Sequence, residues 1–317
     1  MEKLRILFLG TPDFALFSLR ALSEAGYEIV GVVTQPDKPK GRGYELLPPP
    51  VKVFALEKGL SVYQPNTLRD EAFAELLSGI DPNLIVVVAY GKILPENVLD
   101  YPKFGCINVH GSLLPEYRGA APMQRAIIDG KKMTGITTMK MEAGLDTGEM
   151  YEKAALAIGE NDNFEVVHDA LGELGAKLLL STIQKLEAGQ LKGTPQDDSK
   201  ATYAKKIEKE DCRLDFSGSA TKLHNLIRGL SPMPLAVTTL PDGKLLKVVE
   251  SRVSDLTLSG APGTILSTDG GKITVACGCG AIDLLTLIPE GKKKMSAKDL
   301  INGRRVSVGD RLGDSCG

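Results

Sequence analysis

Residues 107–119, INVHGSLLPEYRG, place one of only three histidines in the chain directly after a short apolar run. Asn108 and His110 are two residues apart, so on a β-strand their side chains point to the same face of the sheet. An imidazole exchanges protons near neutral pH, and an amide NH2 can donate a hydrogen bond to a developing oxyanion. Side by side, the two groups are suited to acyl transfer.

Acyl transfer through a histidine benefits from an acid that orients or neutralises the imidazole. The stretch AGLDTGEM offers Asp146, set between Gly144 and Gly148 in a pattern typical of a tight connection between strands. An aspartate in such a turn can also bond only to its own backbone. The sequence therefore nominates Asp146 but does not place it near His110.

The residues after His110 could bind a flat ligand. Gly111 permits a close approach of the backbone to that ligand. The next four residues offer backbone donors and acceptors for a heterocycle. They are Ser112, Leu113, Leu114 and Pro115. The alternative is that His110 only caps a loop and Asn108 only pairs with backbone.

Apolar periodicity indicates the elements that must position these side chains. The N-terminal half alternates short apolar runs with amphipathic stretches, among them LRILFLG, FALFSLRALSEAG, EIVGVVTQ and NLIVVVAYG. This alternation is typical of a doubly wound parallel sheet. Residues 84–89 lack polar alternation, so we expect a central strand buried on both faces. GCINVH is then the next strand, with His110 at its carboxyl end, where such sheets bind ligands.

The remainder of the chain changes character at residue 190. Two strand-like runs, TGITTMKM and GEMYEKAALAI, precede a long amphipathic helix expected over 163–188. Residues 190–206 are polar, contain Gly and Pro and have no period, which indicates a linker. Many short strands follow, as in a small β-barrel. We predict a Rossmann-like α/β domain at 1–189, a linker at 190–206 and an OB-like barrel at 207–317.

Composition excludes several classes of function. No segment approaches the roughly 20 apolar residues of a spanning helix, and MEKLRILFLG is too short for a signal peptide, so we expect a cytoplasmic protein without membrane contact. Five scattered cysteines form neither a disulfide framework nor a zinc motif, so no metal is expected. The glycine pattern of a nicotinamide site is absent after the first strand. The net charge of −2 makes no whole-chain case for nucleic acid.

INVHGSLLPEYRGAAP followed by GITTMKMEAGLDTG resembles the signature pair of the folate-dependent formyltransferases. The resemblance implies a Rossmann-like formyltransferase domain and 10-formyltetrahydrofolate as the formyl donor, with no metal. It also implies that Asn108, His110 and Asp146 are the catalytic residues. We therefore expect formyl transfer to an amine.

The acceptor is suggested by similarity over the full length to the branch of this family that acts on methionyl-initiator-tRNA. TQPDKPKGRG would be an inserted loop, and HNLIRGLSPMP would open the second domain. Basic side chains there suit phosphates and base edges. The expected tRNA contacts are Lys38, Lys40, Arg42, Arg304 and Arg305. Lys292, Lys293 and Lys294 are further candidates, and we expect a monomer.

Plainer interpretations of the same features stay open. Residues 207–317 carry 15 Lys and Arg against 13 Asp and Glu, so these charges can equally be solvated surface. An alternative enzyme is a formyltransferase that acts on an amino-sugar nucleotide. An alternative outside the enzymes is a non-catalytic RNA-binding module with the same two domains. The basic insert favours tRNA over the sugar nucleotide, and the intact Asn108, His110 and Asp146 argue against the non-catalytic module.

Overall fold

A computed structural model describes residues 3–40 and 45–313 of the chain. The chain folds into two compact units that are interleaved in the sequence. The first unit comprises Met1–Gly119, Thr134–Leu156 and His168–Tyr203. The second comprises Ala120–Met133, Ala157–Val167 and Ala204–Gly317.

The secondary structure alternates strands and helices in the first half and is rich in strands in the second. The strands are β1 (Arg5–Gly10), β2 (Glu28–Val33), β3 (Lys38–Lys40), β4 (Glu45–Leu47), β5 (Val62–Tyr63), β6 (Leu84–Val88), β7 (Cys106–His110), β8 (Met133–Lys140), β9 (Met150–Ala157), β10 (Ala236–Thr239), β11 (Leu245–Val253), β12 (Ile265–Ser267), β13 (Ile273–Ala276), β14 (Ala281–Pro289) and β15 (Met295–Ser296). The helices are α1 (Asp13–Glu24), α2 (Pro50–Glu57), α3 (Glu71–Ile80), α4 (Glu96–Leu99), α5 (Pro122–Ile128), α6 (Phe164–Glu187), α7 (Ala220–Gly229) and α8 (Ala297–Asn302).

The first unit is built on one seven-stranded sheet in the order β5-β2-β1-β6-β7-β8-β9. Pairing is parallel from β5 to β7, and β8 runs antiparallel to β7. All five residues of β6 are buried, which confirms the central strand predicted from its unbroken apolar run. The doubly wound, Rossmann-like prediction for this part of the chain is therefore confirmed.

The basic insert contains a short antiparallel hairpin. Lys38 of β3 pairs with Leu47 of β4, and Lys40 pairs with Glu45. Asp37, directly before the hairpin, bonds to the ammonium group of Lys52 on α2 at 2.8 and 2.9 Å. Gln64 bonds to both partners, at 2.7 Å to Lys52 and 2.8 Å to Asp37. Both chain segments that enter and leave the hairpin are thereby tied to one another.

The second unit is built on an antiparallel sheet in the order β10-β11-β14-β13-β12, with β15 paired to β14. Ser219 caps α7 by accepting a hydrogen bond from the Lys222 amide at 3.3 Å. The apolar face of α7, including Leu223 and Ile227, is buried in the core of this unit. The prediction of a small, antiparallel β-rich second domain is confirmed.

The segment predicted as a linker, 190–206, is hydrogen bonded to the first unit over most of its length. Thr194 exchanges backbone hydrogen bonds with Met150 at 2.8 and 2.9 Å, and the Thr202 carbonyl accepts from the Arg118 amide at 2.8 Å. The polar composition of 190–206 belongs to an irregular segment that pairs with its neighbours. The domain limits of 1–189, 190–206 and 207–317 stay a prediction.

The long amphipathic stretch predicted as a helix over 163–188 forms α6, Phe164–Glu187. Asn163 stands before its first turn and accepts a hydrogen bond from the Val166 amide at 3.0 Å. No helix within residues 3–40 and 45–313 is long and apolar enough to cross a membrane.

Candidate active site

Strand β7 carries the amide and the imidazole that the sequence nominated. It lies between β6 and β8, where Val87 is the register partner of Asn108 and Thr137 is that of His110. Asn108 is 9% exposed and His110 is 6% exposed. Because side chains alternate along a strand, the two groups lie on one face at the carboxyl end of β7.

The orientation of His110 is set by the loop that follows it. Its Nε2 atom lies 2.9 Å from the carbonyl oxygen of Tyr117. A carbonyl oxygen only accepts, so Nε2 carries a proton and donates it to this bond. The second ring nitrogen, Nδ1, is left for another partner. The backbone of Tyr117 is left-handed, with a φ of 59°, and this conformation is part of the turn that returns towards β7.

Asp146 provides that partner. Its Oδ2 atom lies 3.6 Å from Nδ1 of His110, which is within ion-pair range but longer than a hydrogen bond. The same oxygen accepts a hydrogen bond from the Gly119 amide at 2.8 Å. Asp146 has a φ of 53° in the connection between β8 and β9, as a tight turn requires. The structure therefore brings His110 and Asp146 together in the first unit, and Asn108 lies on the same strand as His110.

The conformation of the Asp146 turn is held by Gln196. Its Nε2 group donates to the carbonyl oxygens of Asp146 at 2.7 Å and Gly148 at 2.8 Å. Its Oε1 atom accepts from Nε and Nη2 of Arg118 at 3.1 and 2.9 Å. Arg118 is 2% exposed and also bonds to Asp198 at 2.6 Å. A chain of hydrogen bonds thus runs from Asp198 to the backbone that carries the carboxylate.

Gly148 is required by close packing in the same turn. A Cβ atom at this position would collide with the carbonyl oxygen of Lys140 at the end of β8. The sequence pattern pointed to Gly148 but to neither Arg118 nor Gln196. Arg118 could have been singled out, because it belongs to the stretch EYRG that follows the loop after His110. Gln196 lies in a polar segment with no local pattern that would indicate its role.

The four residues proposed to bind a heterocycle use their carbonyl oxygens within the protein. Thr137 Oγ1 donates to Ser112 at 2.7 Å, and Lys153 donates to Leu114. The carbonyls of Leu113 and Pro115 accept backbone amides at 3.2 and 3.3 Å. Ser112 and Leu114 are buried, while Leu113 and Pro115 are partly exposed. The loop is therefore a rigid support that presents mainly the apolar surface of Leu113 and Pro115.

The basic side chains nominated for tRNA lie in both units. Lys38 on β3 is exposed, and Lys40 is the last residue of that strand. Arg42 lies outside the described residues. In the second unit Arg304 and Arg305 directly follow α8 and are exposed. Among the described residues, no group of three or more His, Cys, Asp and Glu side chains is arranged to hold a metal ion.

The fold and the site together define a class of protein: an α/β enzyme with an amide, an imidazole and a carboxylate grouped at strand ends, which suits acyl transfer. Residues 4–183 match the family model for formyl transferase, and residues 206–305 match that for the formyl transferase C-terminal domain. The methionyl-tRNA formyltransferase of Citrifermentans bemidjiense is 48% identical over 99% of this chain and 98% of its own length. The chain therefore belongs to the formyl transferase family.

Two solved structures share the fold at low identity. HypX from Aquifex aeolicus in complex with tetrahydrofolic acid has a TM-score of 0.65 and 18% identity, covering 97% of this chain, which spans 48% of that one. The N-formyltransferase from Helicobacter canadensis, in complex with folinic acid and dTDP-3-aminofucose, has a TM-score of 0.67 and 16% identity. It covers 89% of this chain and 98% of its own. Both likenesses show a shared fold.

Proposed function

We propose that this formyl transferase moves the formyl group of 10-formyltetrahydrofolate to the free α-amino group of methionyl-initiator-tRNA in the cytoplasm. The observation that carries the choice of acceptor is the 48% identity to a methionyl-tRNA formyltransferase over 98% of that relative's length. The alignment therefore extends through the basic insert and the second unit, both of which we assign to tRNA binding.

Formyl transfer between two amines needs charge stabilisation and the movement of one proton. A bond forms between the acceptor nitrogen and the formyl carbon, the bond from that carbon to the donor nitrogen breaks, and the carbonyl oxygen carries negative charge in between. The acceptor nitrogen loses a proton and the donor nitrogen gains one. Each demand can be met by hydrogen-bond donors and a proton acceptor that are already in place.

We assign the oxyanion to Asn108 and His110. The Asn108 amide, held on β7 at 9% exposure, would donate a hydrogen bond to the oxygen as it becomes charged. His110 would act as a second donor or in proton transfer. Its fixed Nε2–H bond to Tyr117 leaves Nδ1 as the nitrogen that can gain or lose a proton.

We assign a role in proton transfer to Asp146. Its carboxylate oxygen Oδ2 lies 3.6 Å from Nδ1 of His110, close enough to orient the ring during the reaction. A carboxylate at this position can also accept the proton that the attacking amine loses. The Gly119 amide and the Gln196 bonds hold this carboxylate in place, so little reorganisation is needed during the reaction.

We assign the donor's flat ring to the loop at Ser112, Leu113, Leu114 and Pro115. Leu113 and Pro115 are the partly exposed members, and Leu114 is packed with Met139 and Met150 beneath them. Such a rigid apolar surface suits a ring system. We assign the acceptor's phosphates and base edges to Lys38, Lys40, Arg42, Arg304 and Arg305.

The test is an acceptor competition with the full-length protein and 10-formyltetrahydrofolate. Charged initiator tRNA and a nucleotide amino-sugar would be supplied at equal concentration, and the formylated products would be counted. The proposal expects formyl-methionyl-tRNA as the dominant product. Predominant formylation of the sugar would favour the alternative acceptor, and RNA binding without any folate-dependent turnover would favour a non-catalytic module.

A further inference from the structure

The second unit contains a cavity of about 150 Å³ whose lining is polar and cationic. That volume is many times the ~10–15 Å³ that one water needs, so a tetrahedral anion can be accommodated. The cavity lies where α7 and β11 meet the segment before α6. The lining residues that carry the argument are Asn163, His224, Arg228, Glu250, Arg252 and Lys294.

Arg228 is a buried cation whose described hydrogen-bond acceptors are all neutral. It is 6% exposed, Nε donates to the Asn225 side chain at 2.8 Å, and Nη1 donates to the carbonyls of Gly159 at 3.1 Å and Asp162 at 2.9 Å. Burial lowers the pKa of this guanidinium from its usual value. The negative charge of Asp162 acts against this effect of burial. The described hydrogen bonds of Arg228 nevertheless all go to neutral acceptors, so an anion in the cavity would give the guanidinium a charged hydrogen-bond partner.

His224 lines the cavity and is held in place by hydrogen bonds of both ring nitrogens. It is 6% exposed, and Nε2 lies 3.1 Å from the carbonyl oxygen of Glu160, so Nε2 donates. Nδ1 then accepts from the Ser251 hydroxyl at 3.0 Å. Burial is the largest effect on His224 and lowers its pKa. The bond to the Glu160 carbonyl acts against burial, and the charges of Arg228 and Arg252 lower the pKa further.

Two further cations line the cavity and are accessible from solvent. The Arg252 side chain is 45% exposed, and Lys294 is exposed on the loop between β14 and β15. Glu250 is the one carboxylate among the lining residues, and it lies 3.7 Å from Arg252. The lining residues therefore include three cations and one carboxylate, and Asp162 is a further negative charge near Arg228. Guanidinium groups match the oxygens of phosphate in geometry.

We propose that this cavity binds a phosphate group between Arg228, Arg252 and Lys294. A phosphodiester of bound tRNA and a free phosphate share this chemistry. The tRNA source rests on the function proposed above, whereas binding of free phosphate does not. His224 lies beside the site and reports its occupancy, because an anion near the cations changes the field at its ring.

The direct test is a titration of the full-length protein, labelled with ¹⁵N-histidine, with inorganic phosphate at constant ionic strength. The chain contains only three histidines, so the ring signals that are lost in the His224→Gln variant are those of His224. We expect a saturable shift of the His224 ring signals with phosphate but not with chloride. A linear response, or none, would overturn the proposal.

Matched variants separate a built site from general surface charge. Arg252→Ala and Lys294→Ala should each weaken phosphate affinity at least threefold. Lys298→Ala removes an exposed charge of α8 that does not line the cavity, so the phosphate affinity of this variant should equal that of the wild type. An equal loss of affinity in Lys298→Ala would contradict a defined phosphate site.

The source of the phosphate follows from formylation kinetics with charged initiator tRNA. If the group is a phosphodiester of tRNA, Arg252→Ala and Lys294→Ala each raise KM for tRNA and leave kcat unchanged. The slope of log KM for tRNA against log salt concentration should also fall by about one in each variant. If KM is unchanged but the His224 shift saturates, the site takes free phosphate. Failure of the wild type to formylate tRNA would remove the proposed function and leave the phosphate titration to decide the cavity.

Discussion

Nδ1 of His110, at the end of β7, lies 3.6 Å from Oδ2 of Asp146, in the turn between β8 and β9. The two residues come from different elements, and each is held from behind: His110 by the Tyr117 carbonyl and Asp146 by the Gly119 amide. At this distance the carboxylate and the imidazole are within ion-pair range but do not form a direct hydrogen bond. A proton can therefore be moved at this pair without first breaking a strong bond between its members.

Gln196 is a positioning residue for Asp146, so Gln196→Ala should lower kcat by about tenfold or more and leave KM for folate and tRNA nearly unchanged. The physical reason is the loss of two hydrogen bonds to the carbonyls of Asp146 and Gly148, because a small misplacement of a catalytic group is costly. Steady-state kinetics with each substrate varied would measure this split.

Gln190→Ala is the matched control, because Gln190 is exposed in the same irregular segment. It should retain the wild-type kcat. Gln196→Glu should not rescue the enzyme, since a carboxylate cannot donate to the two carbonyls. A rise in KM with an unchanged kcat in Gln196→Ala would show that Gln196 does not position the carboxylate.

Lys52 fixes the base of the basic hairpin, so Lys52→Ala should raise KM for tRNA about three- to tenfold without changing KM for folate. The side chain bonds to both carboxylate oxygens of Asp37 and to Gln64, so its removal frees the two segments that flank the hairpin. Arg42→Ala, which removes a proposed tRNA contact in the same insert, gives the reference for the size of the effect.

Lys177→Ala serves as the control for loss of a positive charge, because Lys177 is an exposed residue of α6 in the same unit. Its KM for tRNA should match that of the wild type. Identical increases in Lys52→Ala and Lys177→Ala would mean that net charge, and not the tied hairpin base, controls tRNA use.

His168 should make the stability of the protein depend on pH. Burial lowers its pKa, but hydrogen bonds and charge from Asp13 and Asp169 outweigh burial, so the net pKa is raised. A raised pKa contributes stability that is complete below the unfolded value of about 6.5 and is lost as pH rises through the folded value. The pKa of Asp13 is lowered, chiefly by the hydrogen bond from His168, so its contribution is lost as pH falls.

Denaturant unfolding of the wild type and His168→Gln at several pH values measures this effect. The wild type should be more stable than His168→Gln, by less than about 1 kcal/mol, and this difference in unfolding free energy should be largest near pH 5–6 and smaller at pH 9. When both proteins also carry Asp169→Asn, the difference in unfolding free energy between them should be smaller. A difference that is constant from pH 5 to 9 would contradict a stabilising, charged His168.

Much of the first unit was predictable because its strands are buried on both faces and read as unbroken apolar runs, as β6 does. The antiparallel second sheet followed from many short strands separated by turns. For segment 190–206, Gly, Pro and polar residues indicated irregular backbone but not the partners to which that backbone bonds, and its assignment as a linker stays a prediction. Interleaving of the two units through 120–133 and 157–167 depends on long-range packing that no local pattern reports.

At the site, the sequence predicted strand β7 and, by the alternation of side chains along a strand, placed Asn108 and His110 on one face of it. The distance between His110 and Asp146 could not be predicted from the sequence, because it depends on the register of β8 against β7 and on a left-handed turn. Gln196 was missed for a related reason: its role comes from contacts to the carbonyls of Asp146 and Gly148, distant in sequence. The loop at 112–115 was expected to offer backbone donors and acceptors to a flat ligand. Its carbonyls already accept hydrogen bonds within the protein, which the sequence did not indicate, and ligand binding by this loop stays a prediction.

The most direct test of the catalytic assignment is a double-mutant cycle on kcat for formylation of methionyl-tRNA, with tRNA binding measured in parallel. His110→Ala and Asp146→Asn, the latter keeping the shape of the side chain, should each lower kcat on the order of 10²-fold or more. Because the two groups act as one unit, the double variant should lose little beyond the worse single variant. Near-wild-type kcat in either single variant with tRNA still bound, or fully multiplicative losses in the double variant, would contradict the account.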